Sequence, residues 1–274
     1  MDYVNLKGAR VPALGLGTWQ LSGAQCADVV RAGLDMGYRH IDTAQAYNNE
    51  EEVGAALAGS GVARDDIFLT TKVWYERIAP GELQRSVDES LTKLRTDHVD
   101  LLLIHWPNVK IPLGDSLKAL AEVKAQGKAR HIGVSNFPVA LLKEAVEVNG
   151  ADLLCDQVEY HPFLSQRQVL EFLRSHEMFL TAYSPIARGE AATHPTLVRI
   201  GEAHAKSAVQ VTLRWLLDQV NVVAIPKASG EKHLKSNFEI FDFELSEGER
   251  AEIDALTGNR RLINPGWAPA WDAA

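Results

Sequence analysis

Three ionisable residues, Asp42, Lys72 and His105, each follow a short apolar run, and Tyr47 lies five residues beyond the first of them. Free tyrosine has a pKa of about 10, so it is a poor acid or base at neutral pH. A nearby lysine ammonium stabilises tyrosinate and lowers that pKa, and an aspartate keeps the lysine charged in a dry site. We expect His105 to hydrogen-bond to the oxygen of a bound carbonyl group. The four residues together predict general-acid chemistry on a carbonyl compound.

These residues can move a proton, but no amino-acid side chain can supply a hydride, so a cofactor must do so. Two other interpretations remain open. His40 and Asp42 face the same way on a strand, and with His105, Glu159 and His161 they would suit a metal-dependent barrel hydrolase, although the lysine and tyrosine would then have no role. The chain could also be a non-catalytic nucleotide-binding regulator, which would bind a dinucleotide without turning it over.

Eight short apolar runs alternate with amphipathic stretches along the chain. The run 99–104 is almost continuously apolar, as in strands that are buried on both faces. The stretch 84–94 has helical periodicity. Such alternation predicts parallel βαβ units; a doubly wound open sheet also fits, but eight strands in 274 residues favour a closed (β/α)8 TIM barrel. The runs begin near Leu14, His40, Ile67, Val99, His131, Leu154, Phe179 and Val222.

No linker rich in proline, glycine or serine divides the chain, so we expect one domain over residues 1–274. Residues 4–12 predict a hairpin with its turn near Lys7 and Gly8, positioned to plug the bottom of the barrel. Active sites in such barrels form at the C-terminal ends of the strands. The polar residues expected at that rim are Asp42, Lys72, His105, Ser135, Asn136, Gln157, Glu159, Tyr183, Ser184 and Lys227.

The composition of the chain limits the classes of molecule that it is expected to bind. The chain has 28 Lys and Arg against 36 Asp and Glu, a net charge of −8, which argues against nucleic acid and anionic membranes as partners. No apolar run is long enough to span a bilayer, and residues 1–7 do not read as a signal peptide. Cys26 and Cys155 are far apart, so no disulfide framework is expected. We therefore expect a cytoplasmic monomer that acts on a small molecule.

Six motifs, in order, resemble those of the aldo-keto reductases. The resemblance runs from about residue 4 to the C-terminus and is strongest to the short bacterial 2,5-diketo-D-gluconate and methylglyoxal reductase type, whose tail is similar to residues 259–272. The motifs are GLGTW at 15–19, GYRHIDTAQAY at 37–47 with NE at 49–50, LTTKVW at 69–74, DLLLIHWP at 100–107, IGVSNF at 132–137 and AIPK at 224–227.

The resemblance implies a (β/α)8 barrel that reduces small aldehydes and ketones, such as dicarbonyls and keto-sugars, with NADPH and without a metal. It makes Asp42, Tyr47, Lys72 and His105 the catalytic residues, with Tyr47 as the proton donor. Ser135, Asn136 and Gln157 would bind the carboxamide of the cofactor, Tyr183 would stack on its nicotinamide ring, and the loop that begins at Ser184-Pro185-Ile186 would wrap its pyrophosphate. The full set of positions that would contact the cofactor is Gly17, Thr18, Trp19, Ser135, Asn136, Gln157, Tyr183, Ser184, Pro185, Ile186, Lys227, Ala228, His233 and Asn237.

The chain departs from the family at the adenosine end. The family usually holds the 2′-phosphate of the cofactor with Lys-Ser and, five residues on, Arg. This chain has Lys227, Ala228 and His233 at those positions. Arginine is always charged and grips phosphate through two hydrogen bonds, whereas histidine is largely neutral near pH 7. Ser236 also replaces the usual Glu before Asn237. We expect NADPH binding with a weakened preference over NADH.

Tryptophans are expected to form the substrate pocket. Trp19, Trp74 and Trp106 each follow a strand end and should line it, whereas Trp267 and Trp271 either close it or anchor the tail. The loop after Trp106 and the C-terminal tail are both short, which favours an open pocket for small carbonyl compounds over steroids. Because apolar walls discriminate modestly, the sequence predicts a range of substrates without selecting one.

Overall fold

The structure is a computed structural model that describes residues 1–272. The chain begins with an antiparallel hairpin of β1 (Tyr3–Leu6) and β2 (Ala9–Pro12). Its turn residues Lys7 and Gly8 have φ of 48° and 79°, a left-handed conformation that glycine adopts at little cost. Val11 is fully buried in a cluster with Phe68 and Phe179, which begin two barrel strands. The predicted hairpin therefore covers the N-terminal end of the barrel.

Eight parallel strands form one sheet in which each strand pairs with its neighbours in sequence. The strands begin within two residues of the predicted runs. They are β3 (Leu16–Gly17), β4 (His40–Asp42), β5 (Phe68–Val73), β6 (Val99–Ile104), β7 (Ala129–Ser135), β8 (Cys155–Glu159), β9 (Phe179–Tyr183) and β10 (Val222–Ala224).

The sheet closes between its first and last strands. The Gly15 nitrogen donates to the Ala224 oxygen at 2.8 Å, and the Ala224 nitrogen donates to the Ala13 oxygen at 2.8 Å. A Cβ added at Gly17 would lie 2.6 Å from the Ile225 oxygen, so glycine permits the close approach of these two segments. Closure rules out the open doubly wound alternative and confirms the (β/α)8 barrel.

Helices surround the barrel, as the alternation predicts. In the helix Glu82–Leu94 the residues Leu83, Val87, Leu91 and Leu94 are all buried, which matches the periodicity in the sequence. The helix that begins at Val139 is regular only to Lys143 and continues as a π-helical turn over Glu144–Val148. The helices are α1 (Gly23–Met36), α2 (Glu50–Gly59), α3 (Glu82–Leu94), α4 (Leu113–Ala125), α5 (Val139–Lys143), α6 (Arg167–Ser175), α7 (Pro195–Ala203), α8 (Ala208–Leu217), α9 (Glu231–Phe238) and α10 (Glu247–Asp254).

Both cysteines are free and buried in the packed interior, which agrees with a packing role. Burial raises the pKa of Cys26 to about 12, and burial raises the pKa of Cys155 well above its ordinary value. Both thiols therefore stay protonated and unreactive at neutral pH. None of the helices in residues 1–272 is long and apolar enough to span a membrane.

Candidate active site

Three adjacent strands bring the ionisable residues together at the C-terminal rim. Asp42 ends β4, Lys72 is the penultimate residue of β5, and His105 directly follows β6. The backbone nitrogen of His105 donates to the Val73 oxygen at 3.0 Å, which extends the pairing of β5 and β6 by one step. Because parallel strands point their ends to the same rim, residues more than 60 positions apart in sequence become neighbours.

Lys72 and Asp42 form a buried ion pair. The Lys72 Nζ donates to Asp42 Oδ1 at 2.6 Å, to the Thr43 oxygen at 2.9 Å and to Tyr47 Oη at 3.3 Å. Burial opposes the ammonium charge, but Asp42 and Tyr47 outweigh burial and raise the pKa of Lys72. The lysine is therefore a fixed cation within hydrogen-bond distance of the phenol.

Tyr47 closes a short 3₁₀ turn, Gln45–Tyr47, that follows β4 and brings the phenol back over the rim. Burial raises the pKa of Tyr47, and although Lys72 lowers it, the net shift is upward. The expectation of a net lowering is therefore wrong, because removing water from the phenol outweighs the cation. The phenol is protonated at neutral pH, as a proton donor must be, and Lys72 lies where it stabilises the tyrosinate left after transfer.

His105 is neutral. Burial and the Lys72 charge hold the pKa of His105 well below its ordinary value. Within residues 1–272 its Nδ1 has no hydrogen-bond partner. The imidazole meets the rings of Tyr47 and Trp74 edge-on, at centroid distances of 5.6 and 5.3 Å. A neutral imidazole beside the phenol can donate one hydrogen bond to a carbonyl oxygen without competing for the proton.

The residues predicted to bind a nicotinamide form one hydrogen-bond network with the ion pair. Gln157 Nε2 donates to Asp42 Oδ2 at 2.7 Å, which occupies the second oxygen of that carboxylate. Asn136 Nδ2 donates to the His105 oxygen at 3.0 Å, and Tyr183 Oη donates to Asn136 Oδ1 at 2.7 Å. The site is therefore organised by its own hydrogen bonds.

A cavity of 840 Å³ opens at this rim. Its walls contain most of the predicted residues and several that the sequence analysis did not single out. The predicted ones are Gly17, Trp19, Asp42, Tyr47, Trp74, His105, Trp106, Asn136, Gln157, Tyr183, Ser184, Pro185, Ile186, Lys227 and Trp267.

Six predicted residues are not among those lining the cavity. Three are buried behind the wall: Lys72 contacts the lining residue Tyr47, while the Thr18 and Ser135 hydroxyls donate to the backbone oxygens of Asp42 and Gln157. Of the remaining three, which were predicted to lie at the adenosine end of the cofactor, His233 is exposed on α9 and the other two are buried. These three are Ala228, His233 and Asn237.

Trp267 and Trp271 take one each of the two roles that the sequence left open, closing the pocket and anchoring the tail. Trp267 stacks on Tyr75 at 4.5 Å and meets Trp106 edge-on at 5.1 Å, so it forms part of the cavity wall. Trp271 is not among the residues that line this cavity; its ring meets Trp106 edge-on at 6.0 Å, which anchors the tail to the rim, and its Nε1 donates to Asn264 Oδ1 at 2.9 Å within the tail.

Loop residues are the main group that sequence reasoning missed. The Arg188 guanidinium lies over the Trp19 ring at 5.2 Å, and both residues line the cavity. A basic residue just after the Ser184-Pro185-Ile186 segment was the one available signal. The tail residues Leu262, Ile263, Asn264 and Pro265 also line the cavity, and nothing in their local sequence pattern indicates it.

The metal interpretation loses its proposed ligands. His40 directs one ring nitrogen at the Pro12 oxygen and the other at Thr70 Oγ1, and His161 contacts Glu159. No group of three or more His, Cys, Asp or Glu side chains in residues 1–272 is arranged to hold a metal ion.

Comparison with known proteins shows similarity to aldo/keto reductases over almost the whole chain. A model of the aldo/keto reductase family matches residues 13–257. Methylglyoxal reductase DkgB of Salmonella typhi is 41 % identical over 266 residues, which cover 96 % of this chain and 99 % of that protein. Glyoxal reductase of Bacillus subtilis strain 168 is 40 % identical over 263 residues, 95 % of each chain.

The fold of this chain also matches those of solved reductase structures closely. A crystal structure provisionally assigned as a 2,5-diketo-D-gluconic acid reductase B superposes with a TM-score of 0.97 at 48 % identity, covering 100 % of this chain and 98 % of that one. Aldose reductase from Schistosoma japonicum superposes with a TM-score of 0.93 at 30 % identity, covering 98 % and 96 %. The chain therefore belongs to the aldo/keto reductase family.

Proposed function

We propose that this protein reduces small aldehydes and ketones to alcohols with NADPH, and that Tyr47 is the general acid. The observation that carries the proposal is the buried path from Asp42 through Lys72 to Tyr47, with steps of 2.6 and 3.3 Å, which ends at a cavity beside neutral His105. A structural ion pair would not need a protonated phenol at its open end.

Each residue of the path has one task. Tyr47 Oη donates its proton to the carbonyl oxygen of the substrate as negative charge develops there. The Lys72 ammonium stabilises the phenolate that remains, and Asp42 holds that ammonium in place. His105 donates a hydrogen bond to the same carbonyl oxygen and so orients the substrate.

The cavity suits an anionic dinucleotide. Lys227 and Arg188 line it, and neither has an ion-pair partner within residues 1–272, although the chain carries a net charge of −8. Cations left without acidic partners in an acidic protein favour a phosphate ligand. When bound, the reduced nicotinamide supplies the hydride that no side chain can provide.

The family resemblance assigns the cofactor contacts along this cavity. Ser135, Asn136, Gln157 and Tyr183 would hold the nicotinamide, and the segment that begins at Ser184 would hold the pyrophosphate. Lys227, Ala228 and His233 would face the 2′-phosphate. Since Ala228 has no hydroxyl and the exposed His233 lacks the permanently charged, two-donor fork of an arginine, we expect the preference for NADPH over NADH to be modest.

Substrates are small carbonyl compounds, such as dicarbonyls and keto-sugars. The wall beside Tyr47 is aromatic, formed by Trp74, Trp106 and Trp267, and it supplies apolar contact with few hydrogen-bond donors. Such a wall accepts many small molecules with modest discrimination. A monomer in the cytoplasm remains a prediction from the sequence.

The test is cofactor oxidation, followed with NADPH and with NADH across a panel of aldehydes, dicarbonyls and keto-sugars. We expect turnover with several members of the panel and faster turnover at low NADPH than at low NADH. NADPH binding without oxidation by any carbonyl compound would contradict the proposal and favour the regulator. Activity that is lost to a chelator and restored by a metal would favour the hydrolase.

A further inference from the structure

A buried carboxylate, Glu159, takes no part in the proposed proton path. It ends β8 and is fully buried. Its Oε1 accepts a hydrogen bond from the Leu262 nitrogen at 2.7 Å, and its Oε2 accepts one from the Ile263 nitrogen at 2.8 Å. One carboxylate that binds two consecutive backbone amides fixes the position of that segment of the tail.

The neighbours of Glu159 hold it in the ionised form. The Phe163 nitrogen donates to His161 Nδ1 at 3.3 Å, so the ring proton lies on Nε2, which faces Glu159 Oε1 at 3.0 Å. Burial raises the pKa of Glu159, but the hydrogen bonds from His161, Leu262 and Ile263 outweigh it and lower the pKa overall. The Glu159 carboxylate, which with the two backbone amides that it binds is called the clamp, therefore keeps its negative charge at neutral pH.

The clamped segment leads directly into the cavity wall. Residues 262–265 and Trp267 line the cavity beside Trp74 and Trp106. The far end of the tail is also held, since Asp272 Oδ2 accepts a hydrogen bond from the Val139 nitrogen at 2.9 Å. Between these two points the tail lies as a strap across the substrate side of the cavity.

We propose that Glu159 is a positioning residue that fixes the tail as a wall of the substrate pocket and thereby restricts the pocket to small carbonyl compounds. This proposal rests on the proposed function, because it concerns the substrates of the same cavity. Glu159 acts through Leu262 and Ile263 and touches no reacting atom. A shift of about 1 Å in a positioning contact can cost on the order of a hundredfold in rate, so a small movement of the tail after loss of the clamp would change catalysis measurably.

The tail's own position is tested first, in the full chain, with Glu159→Ala and Glu159→Gln. The Arg261–Leu262 peptide bond carries one of the clamped amides, so trypsin should cut it slowly in the wild type and about tenfold faster in Glu159→Ala. The released fragment is identified by its mass. Glu122→Gln is the matched control: it removes the same charge from an exposed position on α4 and should leave cleavage unchanged.

The pocket is tested with methylglyoxal and 2-naphthaldehyde as probes. In Glu159→Ala we expect the KM for methylglyoxal to rise about tenfold and the KM for 2-naphthaldehyde to fall or stay constant, with the Kd for NADPH unchanged. Glu159→Gln keeps the shape of the side chain but only one acceptor oxygen, so it should show both effects in weaker form. It carries the test if thermal melting shows that the alanine variant does not fold.

Two results would overturn the proposal. The first is equal cleavage at Arg261 in the wild type and in both Glu159 variants. The second is faster cleavage in the Glu159 variants with an unchanged ratio of the KM values for methylglyoxal and 2-naphthaldehyde. The second result would mean that the clamp holds the tail without shaping the pocket. A wild-type protein that reduces neither aldehyde would overturn the proposed function, and that failure is distinguishable because the cleavage assay requires no turnover.

Discussion

The two ends of the cavity are built in different ways. At the end proposed to be catalytic, Lys72 and Asp42 are buried on neighbouring strands and form an ion pair of 2.6 Å. At the end proposed to hold the adenosine phosphate, Lys227 lines the cavity on a loop and His233 lies outside its lining on α9, and both are exposed. A buried charge depends strongly on its partner, whereas an exposed charge is screened by water. Substitutions should therefore be costly at the first end and tolerated at the second.

The largest effect should come from Lys72→Met. Removing the ammonium leaves the Asp42 carboxylate buried without its cation, which costs about 3–5 kcal/mol of unfolding free energy. Turnover should fall on the order of a thousandfold, because nothing then stabilises the phenolate. Denaturant unfolding and steady-state kinetics measure the two effects, with the exposed Lys110→Met as control.

A double variant separates stability from catalysis at this end. Lys72→Met with Asp42→Asn removes the uncompensated charge, so much of the lost stability should return while turnover stays low. Recovery of both would mean that the pair is only structural, and the contrast between the two ends would then be one of stability alone.

A pH effect of intermediate size should come from His105. Its pKa in the folded state lies well below 6.5, so between these values the unfolded chain binds a proton that the folded chain does not. The stability contributed by the neutral ring is complete above about pH 6.5 and falls as the pH drops through that window, by at most about 1.4 kcal/mol per pH unit. The difference in unfolding free energy between wild type and His105→Asn, measured from pH 7 to pH 5, should shrink accordingly. A difference that does not change with pH would mean that His105 titrates normally in the fold.

The smallest effect should come from the exposed end. Ala228→Ser with His233→Arg restores the residues that the family usually carries, and it should tighten NADPH by about three- to tenfold with little change for NADH, since solvent weakens a surface contact to phosphate. Fluorescence titration with both cofactors measures it. Equal tightening of NADH would show that these positions do not face the 2′-phosphate.

The sequence predicted the barrel well because a βα repeat leaves a local signature in every strand and helix. The rim residues Asp42, Lys72 and His105 followed from the same logic, since each ends a run whose direction the fold dictates. Two features depend on contacts that no local pattern records. Glu159 meets Ile263 more than 100 residues later, and the net pKa shift of Tyr47 depends on how much water the folded chain removes.

Turnover of Tyr47→Phe, measured together with its NADPH affinity, tests the central claim most directly. The variant keeps the ring and loses only the hydroxyl that Lys72 contacts at 3.3 Å. We expect NADPH to bind within about twofold of the wild type and turnover to fall by about two to four orders of magnitude, the usual contribution of a general acid. Turnover close to the wild-type value would contradict the assignment of residue 47 as the proton donor.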